Sequence, residues 1–187
     1  MVSLAQLWLP VVLSAVFVFV ASSLIHMVFK WHNSDYFKLA NEDEVRTVLG
    51  KTKPGPGQYA VPHCADMKEM QSPEMQKKFV DGPVAFMTVR ASGVPKMGGA
   101  LGQWFAWTLV VSLLVAYVAC KSLHSGDSFL HVARLASIVA LLAYAGGSIQ
   151  AGIWMGKPWR SVAKEALDGV IYGAVTAVAF GMLWPHG

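Results

Sequence analysis

Four stretches of this chain are too long and too apolar for an ordinary water-soluble core, and they decide most of what it can become. The first, LWLPVVLSAVFVFVASSLIHMVF, runs from Leu7 to Phe29 without a charged residue. A helix of about 20 such residues crosses the hydrocarbon core of a bilayer, because lipid offers no partner to unpaired backbone groups. Comparable runs follow in GQWFAWTLVVSLLVAYVAC, LASIVALLAYAGGSIQAGIWMG and GVIYGAVTAVAFGMLWP, and transmembrane helices are expected over residues 7–30, 102–120, 134–156 and 166–185. Composition agrees: 55% of residues are hydrophobic and 14% charged, against roughly a quarter charged in soluble domains.

The fold class expected is therefore an all-α integral membrane protein. Residues 1–187 form a single membrane domain of four transmembrane helices, with a long, partly helical loop over residues 31–99 between helices 1 and 2. The first run has no basic region ahead of it and no small-residue cleavage site behind it, so it reads as a retained helix and not a secretory signal.

Charge sets the expected threading. The loop contributes Lys30, Lys38, Arg46, Arg90 and Lys96 near the membrane, and the third connection contributes Lys157, Arg160 and Lys164. The opposite face carries Lys121 and Arg134. The positive-inside bias puts the loop in the cytoplasm and both termini outside. Tryptophans at the run ends (Trp8, Trp31, Trp104, Trp107, Trp154, Trp159, Trp184) suit interfacial anchoring. The net charge of +4 does not signal nucleic acid, because the loop holds nine Lys or Arg against eight Asp or Glu. The closing DGVIYGAVTAVAFGMLWP resembles small multi-pass proteins of the bacterial inner membrane, which is the localisation expected.

Small residues recur every four positions, at Gly169, Gly173, Ala177 and Gly181 in the fourth run, at Ala143, Gly147 and Ala151 in the third, and at Thr108, Ser112, Ala116 and Cys120 in the second. Lipid tails are as apolar as leucine, so membrane helices associate where small side chains let backbones approach. These stripes are expected to be packing seams of one bundle, the fourth run's stripe being alternatively a docking face for another protein.

The loop carries its own punctuation. Asn41 and Glu44 read as a capping box, with Gly50 as the stop of that helix. KTKPGPGQYAVP reads as irregular, because its prolines and glycines break helix and strand alike. Ser72, Pro73 and Gly82 bracket a second helix, and Val84 to Arg90 is a short apolar stretch of either type.

Few groups offer chemistry. No Asp, Glu, Lys or Arg falls inside the four runs, Arg134 and Asp168 lying at their edges, which argues against a proton or ion relay. His26 is a candidate pigment or haem ligand, although His131 and His186 belong to the other end of the bundle and cannot pair with it. His63, Cys64, Met67 and Met70 form a candidate soft-metal set, imidazole and sulfur suiting copper(I) or zinc. That set lacks a CxxC or HxxxH pattern and would need His26 or His32 to close it. Cys64 and Cys120 are expected to be unpaired. No nucleophile elbow, phosphate loop or acid pair appears, so no enzymatic activity and no cofactor is expected. The function expected is a small accessory or structural subunit packing in the bilayer against a larger energy-transducing or transport complex, or against copies of itself. Two alternatives are a metal- or thiol-redox protein using the His63–Met70 stretch, and a small-molecule carrier using His26, Tyr144 and Gln150.

Overall fold

The computed structural model describes residues 2–186, and the protein is about 71% helical. In chain order the elements are α1 (Leu4–Phe29), α2 (Glu42–Thr52), β1 (Gly57–Val61), α3 (Met67–Met70), α4 (Pro73–Asp81), β2 (Ala85–Val89), α5 (Met97–Ser122), α6 (Phe129–Met155) and α7 (Trp159–Met182). Helices α1, α5, α6 and α7 are each long and apolar enough to cross a membrane. The chain divides into two compact units: residues 38–95, and the remainder on either side of them.

In the larger unit, α1 packs on α5 and α7, and α6 closes the ring by packing on α7 and α5. Short links join α5 to α6 and α6 to α7, so sequential neighbours run antiparallel. Side-chain caps fix the starts: Ser3 Oγ accepts from Gln6 N while Ser3 N donates to Gln6 Oε1, and Ser128 caps α6 through His131 N.

The main core lies toward the end that holds the chain termini. There Leu7, Val111, Val115, Val132, Ala136, Phe180 and Trp184 pack together. Trp184 is 2% exposed and does not serve as an interfacial anchor. Its indole N–H donates to His124 O at 2.8 Å, and Gly126 N donates to Pro185 O, so the end of α7 is tied to the α5–α6 link. Trp8, Trp154 and Trp159 are exposed. Deeper in the bundle a hydroxyl chain crosses three helices: Ser112 Oγ donates to Ser14 Oγ, which donates to Thr176 Oγ1, each at 3.2 Å.

The small-residue stripe of α7 is its seam with α6. A Cβ on Gly169 would meet Ala145 Cβ at 2.7 Å, and one on Gly173 would meet Ser137 O at 3.0 Å; Ala177 is buried. The α6 side of that seam includes Ser137, Leu141 and Ala145, together with Gly152, where an added Cβ would stand 3.1 Å from Val162 Cγ2. The triplet Ala143, Gly147 and Ala151 is not that seam: Ala143 and Ala151 are half-buried and Gly147 is exposed. The stripe of α5, Thr108, Ser112, Ala116 and Cys120, is buried.

The helix boundaries correct one expectation. Hydropathy alone starts the fourth span near residue 166, but α7 begins at Trp159. Its first turns are the amphipathic WRSVAKEALD, which buries one face and so folds as helix despite its charges. Lys164, Glu165 and the buried Asp168 therefore lie inside the helix rather than at its edge.

Within residues 38–95, β1 and β2 pair antiparallel with Gly57 opposite Val89 and Val61 opposite Ala85. The expectation that KTKPGPGQYAVP has no regular structure is wrong for its second half. Gly55, Pro56 and Pro62 bound a five-residue strand without interrupting it, and the apolar stretch after Val84 is its partner. Asn41 stands at the start of α2 but makes no side-chain cap, and α2 continues past Gly50 to Thr52, ending on Lys53 in the left-handed region at φ 44°. Ser72 caps α4 through Met75 N, with Pro73 in the first turn and Gly82 (φ 62°) beyond its end. Met75 is the one buried residue among those described in this unit, so strand pairing and caps, more than a core, hold it together.

Candidate functional site

The site is built where α1 ends. Ser22 Oγ and Ser23 Oγ both donate back to Phe19 O, and His26 Nδ1 lies 2.9 Å from Ser22 O. Side chains that claim backbone carbonyls in this way loosen regular helix. From Leu24 to Phe29 α1 widens to a π-helical turn, with Lys30 N donating to Ile25 O. Such turns are frequent at functional sites, and this one carries His26. Lys30 then adopts the left-handed region (φ 53°) and reverses the chain into a 3₁₀ turn, Trp31–Asp35.

That turn is clamped onto α7. Lys164 Nζ donates to Trp31 O at 2.7 Å, Ser34 Oγ at 2.8 Å and Asp35 Oδ1 at 2.6 Å, which uses all three ammonium hydrogens. His32 bridges two carboxylates, with Nδ1 at 2.8 Å from Asp35 Oδ2 and Nε2 at 2.8 Å from Asp168 Oδ2. The Lys164 ammonium, helped by His32, holds the Asp35 carboxyl at about 2, below its ordinary 3.8 and against the opposing effect of burial. The His26 ring stacks on that of His32, centroids 4.9 Å apart and planes at 8°.

Beside this cluster lies a cavity of about 550 Å³ between the four long helices. Trp104, Tyr144 and Tyr172 form an aromatic wall, with ring centroids 5.2 to 6.1 Å apart. Trp104 is fixed by its N–H donating to Ser22 Oγ at 2.8 Å. Met27, Met97 and Leu101 extend the apolar lining, while His26, Ser148, Glu165 and Asp168 supply polar groups. Two buried polar atoms on the lining, Asp168 Oδ1 and Tyr144 Oη, have no hydrogen-bond partner. A buried polar atom left unpaired costs about 1–3 kcal/mol. A second cavity, about 320 Å³, lies on the other side of His26 and is lined by His32, Asp35, Lys157 and Ser161 among others.

Of the residues singled out from sequence, His26, Tyr144 and Ser148 meet at this cavity; Gln150 is exposed and does not line it. His63, Cys64, Met67 and Met70 belong to the smaller unit. Cys64 Sγ donates to Asp66 O at 3.0 Å, Met67 is 65% exposed and Met70 42%. Asp66 caps α3, the short helix that carries both methionines. Among the described residues, the group of His, Cys, Asp and Glu ligand atoms close enough to share an ion is His26, His32 and Asp168, all within 4.8 Å of one another. Cys64 and Cys120 are both free. Sequence reasoning underrated Asp168, Lys164 and Asp35. The segment after Pro158 reads as helical from sequence, and the fourth helix does begin there; what sequence did not show is that this start carries Asp168 inward to His32. The chain matches no protein-family model, no curated protein and no solved structure.

Proposed function

We propose that this chain is a multi-pass membrane protein that holds a small amphipathic molecule, as a carrier or as the ligand-bearing subunit of a larger assembly. The observation that carries this reading is the cavity of about 550 Å³, whose apolar, aromatic lining includes a few polar side chains, among them His26, Ser148, Glu165 and Asp168. Small-molecule sites have volumes of about 300–1,000 Å³ and this same combination of apolar lining with a few placed polar groups. The apolar body of the ligand rests against Trp104, Tyr172 and Leu101, and its polar end meets His26 and Asp168. The basic residues of the loop and of the α6–α7 connection favour an orientation with this end of the bundle in the cytoplasm.

Native mass spectrometry of protein taken gently into nanodiscs tests the reading. The wild type carries a discrete small-molecule adduct, and Ser148→Trp, which fills the cavity from α6, loses it. An adduct-free wild type, or an adduct unchanged in Ser148→Trp, contradicts the reading.

One observation favours an accessory role alongside ligand binding. Gly146 and Gly147 on α6 have nothing within 4 Å of where a Cβ would stand, which leaves room for another membrane helix to approach closely. Gentle extraction that yields the chain with a larger partner or a second copy supports this role, and a free monomer opposes it.

A further inference from the structure

We infer that His26, His32 and Asp168 form a binding site for one first-row divalent cation at the wall of the cavity. This inference deepens the ligand-holding reading and rests on it, because His26 and Asp168 line that cavity.

The chemistry of each donor points the same way. Metal-bound histidines characteristically donate their second ring N–H to a carboxylate or a backbone carbonyl, which fixes the tautomer and aims the other nitrogen at the ion. His32 has this arrangement: Nδ1 faces the Asp35 carboxylate at 2.8 Å, and Nε2 faces Asp168 Oδ2 at 2.8 Å. His26 has it too, since Nδ1 is 2.9 Å from Ser22 O, a carbonyl that can only accept, so Nε2 is left with its lone pair. Asp35 is itself held by Lys164 at 2.6 Å. Both histidines are thus oriented by groups outside the site, a degree of support a surface cluster does not show.

Asp168 supplies the anionic donor. Its side chain is 7% exposed, and its Oδ1 is buried without a partner. The 2.8 Å between His32 Nε2 and Asp168 Oδ2 also fits two ligands of one ion. With bonds of about 2.0–2.1 Å, that separation subtends an angle of about 90°, as for neighbouring positions of an octahedral site. The cation takes the place of the proton between them. His26 is the mobile member. An ion lies in the plane of each imidazole that binds it, so binding turns the exposed His26 ring out of its stack on His32. Two histidines and one carboxylate leave coordination positions open, the pattern of iron(II) and catalytic zinc sites. His26 and Asp168 line the cavity, so a ligand held there with an oxygen or nitrogen head group completes the shell.

The test uses full-length protein in detergent, stripped with chelator and titrated with Zn²⁺ and with Co²⁺ as a spectroscopic probe. The expected result is one ion per chain with visible Co²⁺ ligand-field bands. His26→Ala weakens binding at least tenfold, and Asp35→Asn, which touches no ion, weakens it by about 10–100-fold. His63→Ala and Cys64→Ser leave it unchanged. His26 is exposed, so His26→Ala removes no core side chain; the Asp35 side chain is 8% exposed and paired with Lys164, so helical circular dichroism of Asp35→Asn must match wild type before its affinity is compared. Wild type without a stoichiometric ion, affinity unchanged in both His26→Ala and Asp35→Asn, or binding lost in His63→Ala instead, overturns the inference. Ser148→Trp separates the two readings: it abolishes the small-molecule adduct and retains the ion if the metal site stands. An adduct that persists in a wild type unable to bind ions refutes the metal site alone.

Discussion

Adding a single methyl at Gly169 gives a sharp test of how α6 and α7 meet. A Cβ there would stand 2.7 Å from Ala145 Cβ, with Ala145 N and Leu141 Cδ1 each at 3.4 Å. Two of those three atoms belong to a short side chain and to backbone, so the clash is relieved only by moving a helix. Overpacking of this kind costs about 1–3 kcal/mol, and the gain in helix propensity from glycine to alanine returns about 1 kcal/mol at most. Gly181→Ala is the informative comparison. Its Cβ would meet the Phe129 ring at 2.6 Å, but Phe129 is 44% exposed and can swing aside, so the cost is smaller. Gly147→Ala meets nothing within 4 Å and is neutral or slightly stabilising. Unfolding in mixed micelles of rising SDS fraction, followed by helical circular dichroism, should rank Gly169→Ala least stable, then Gly181→Ala, then Gly147→Ala. If Gly169→Ala is as stable as Gly147→Ala, the seam is misassigned and the small residues of α7 face lipid or another chain.

Other perturbations reach the remaining contacts. His32→Ala leaves the buried Asp168 without its one hydrogen-bond partner and should cost about 3–5 kcal/mol, read in the same micelle titration; a loss below 1 kcal/mol would mean that the bridge does not form. Ser14→Ala breaks the hydroxyl chain between α5, α1 and α7 and should cost about 0.6 kcal/mol and not more than about 1.7; stability equal to that of the wild type would show that the chain contributes nothing. Asp127, which holds His124 N at 2.8 Å, has its carboxyl pulled below 3.8 chiefly by that backbone N–H and further by His131. A depressed carboxyl contributes stability that is present above about pH 4 and is lost as pH falls through its folded value. Melting curves of Asp127→Asn between pH 6 and pH 3 should therefore be flatter than those of the wild type, and parallel curves would refute that assignment.

What could be read from residues alone follows from which physical signal dominates each segment. The four spans announced themselves because LWLPVVLSAVFVFV and its counterparts have no alternative to lipid, although the start of the fourth lies earlier than hydropathy puts it. The α7 seam was legible because Gly169, Gly173, Ala177 and Gly181 repeat at the helical period. Its counterpart on α6 was not, since Ala136, Ala140, Ala143, Ala145, Gly147, Ala151 and Gly152 offer several equally spaced stripes, and only packing chooses among them. Gln150 looked like a pocket residue by polarity, but its position on α6 turns it outward. The His32–Asp168 pair, 136 residues apart, depends on a π-helical turn, a left-handed Lys30 and a helix that starts at Trp159. None of these has a strong local signature: lysine is not a residue that ordinarily marks positive φ, and the charges of WRSVAKEALD hide a helix start from any hydropathy window.

The most direct test of the ligand-holding cavity is photo-crosslinking from inside it. A diazirine-bearing amino acid at Leu101, which lines the cavity, is compared in intact membranes with the same group at Leu113, which is 48% exposed on the flank of α5. The account predicts that position 101 captures a discrete small molecule, that adding Ser148→Trp removes this product, and that position 113 captures only bulk lipid. Identical lipid adducts from both positions, indifferent to Ser148→Trp, would contradict it.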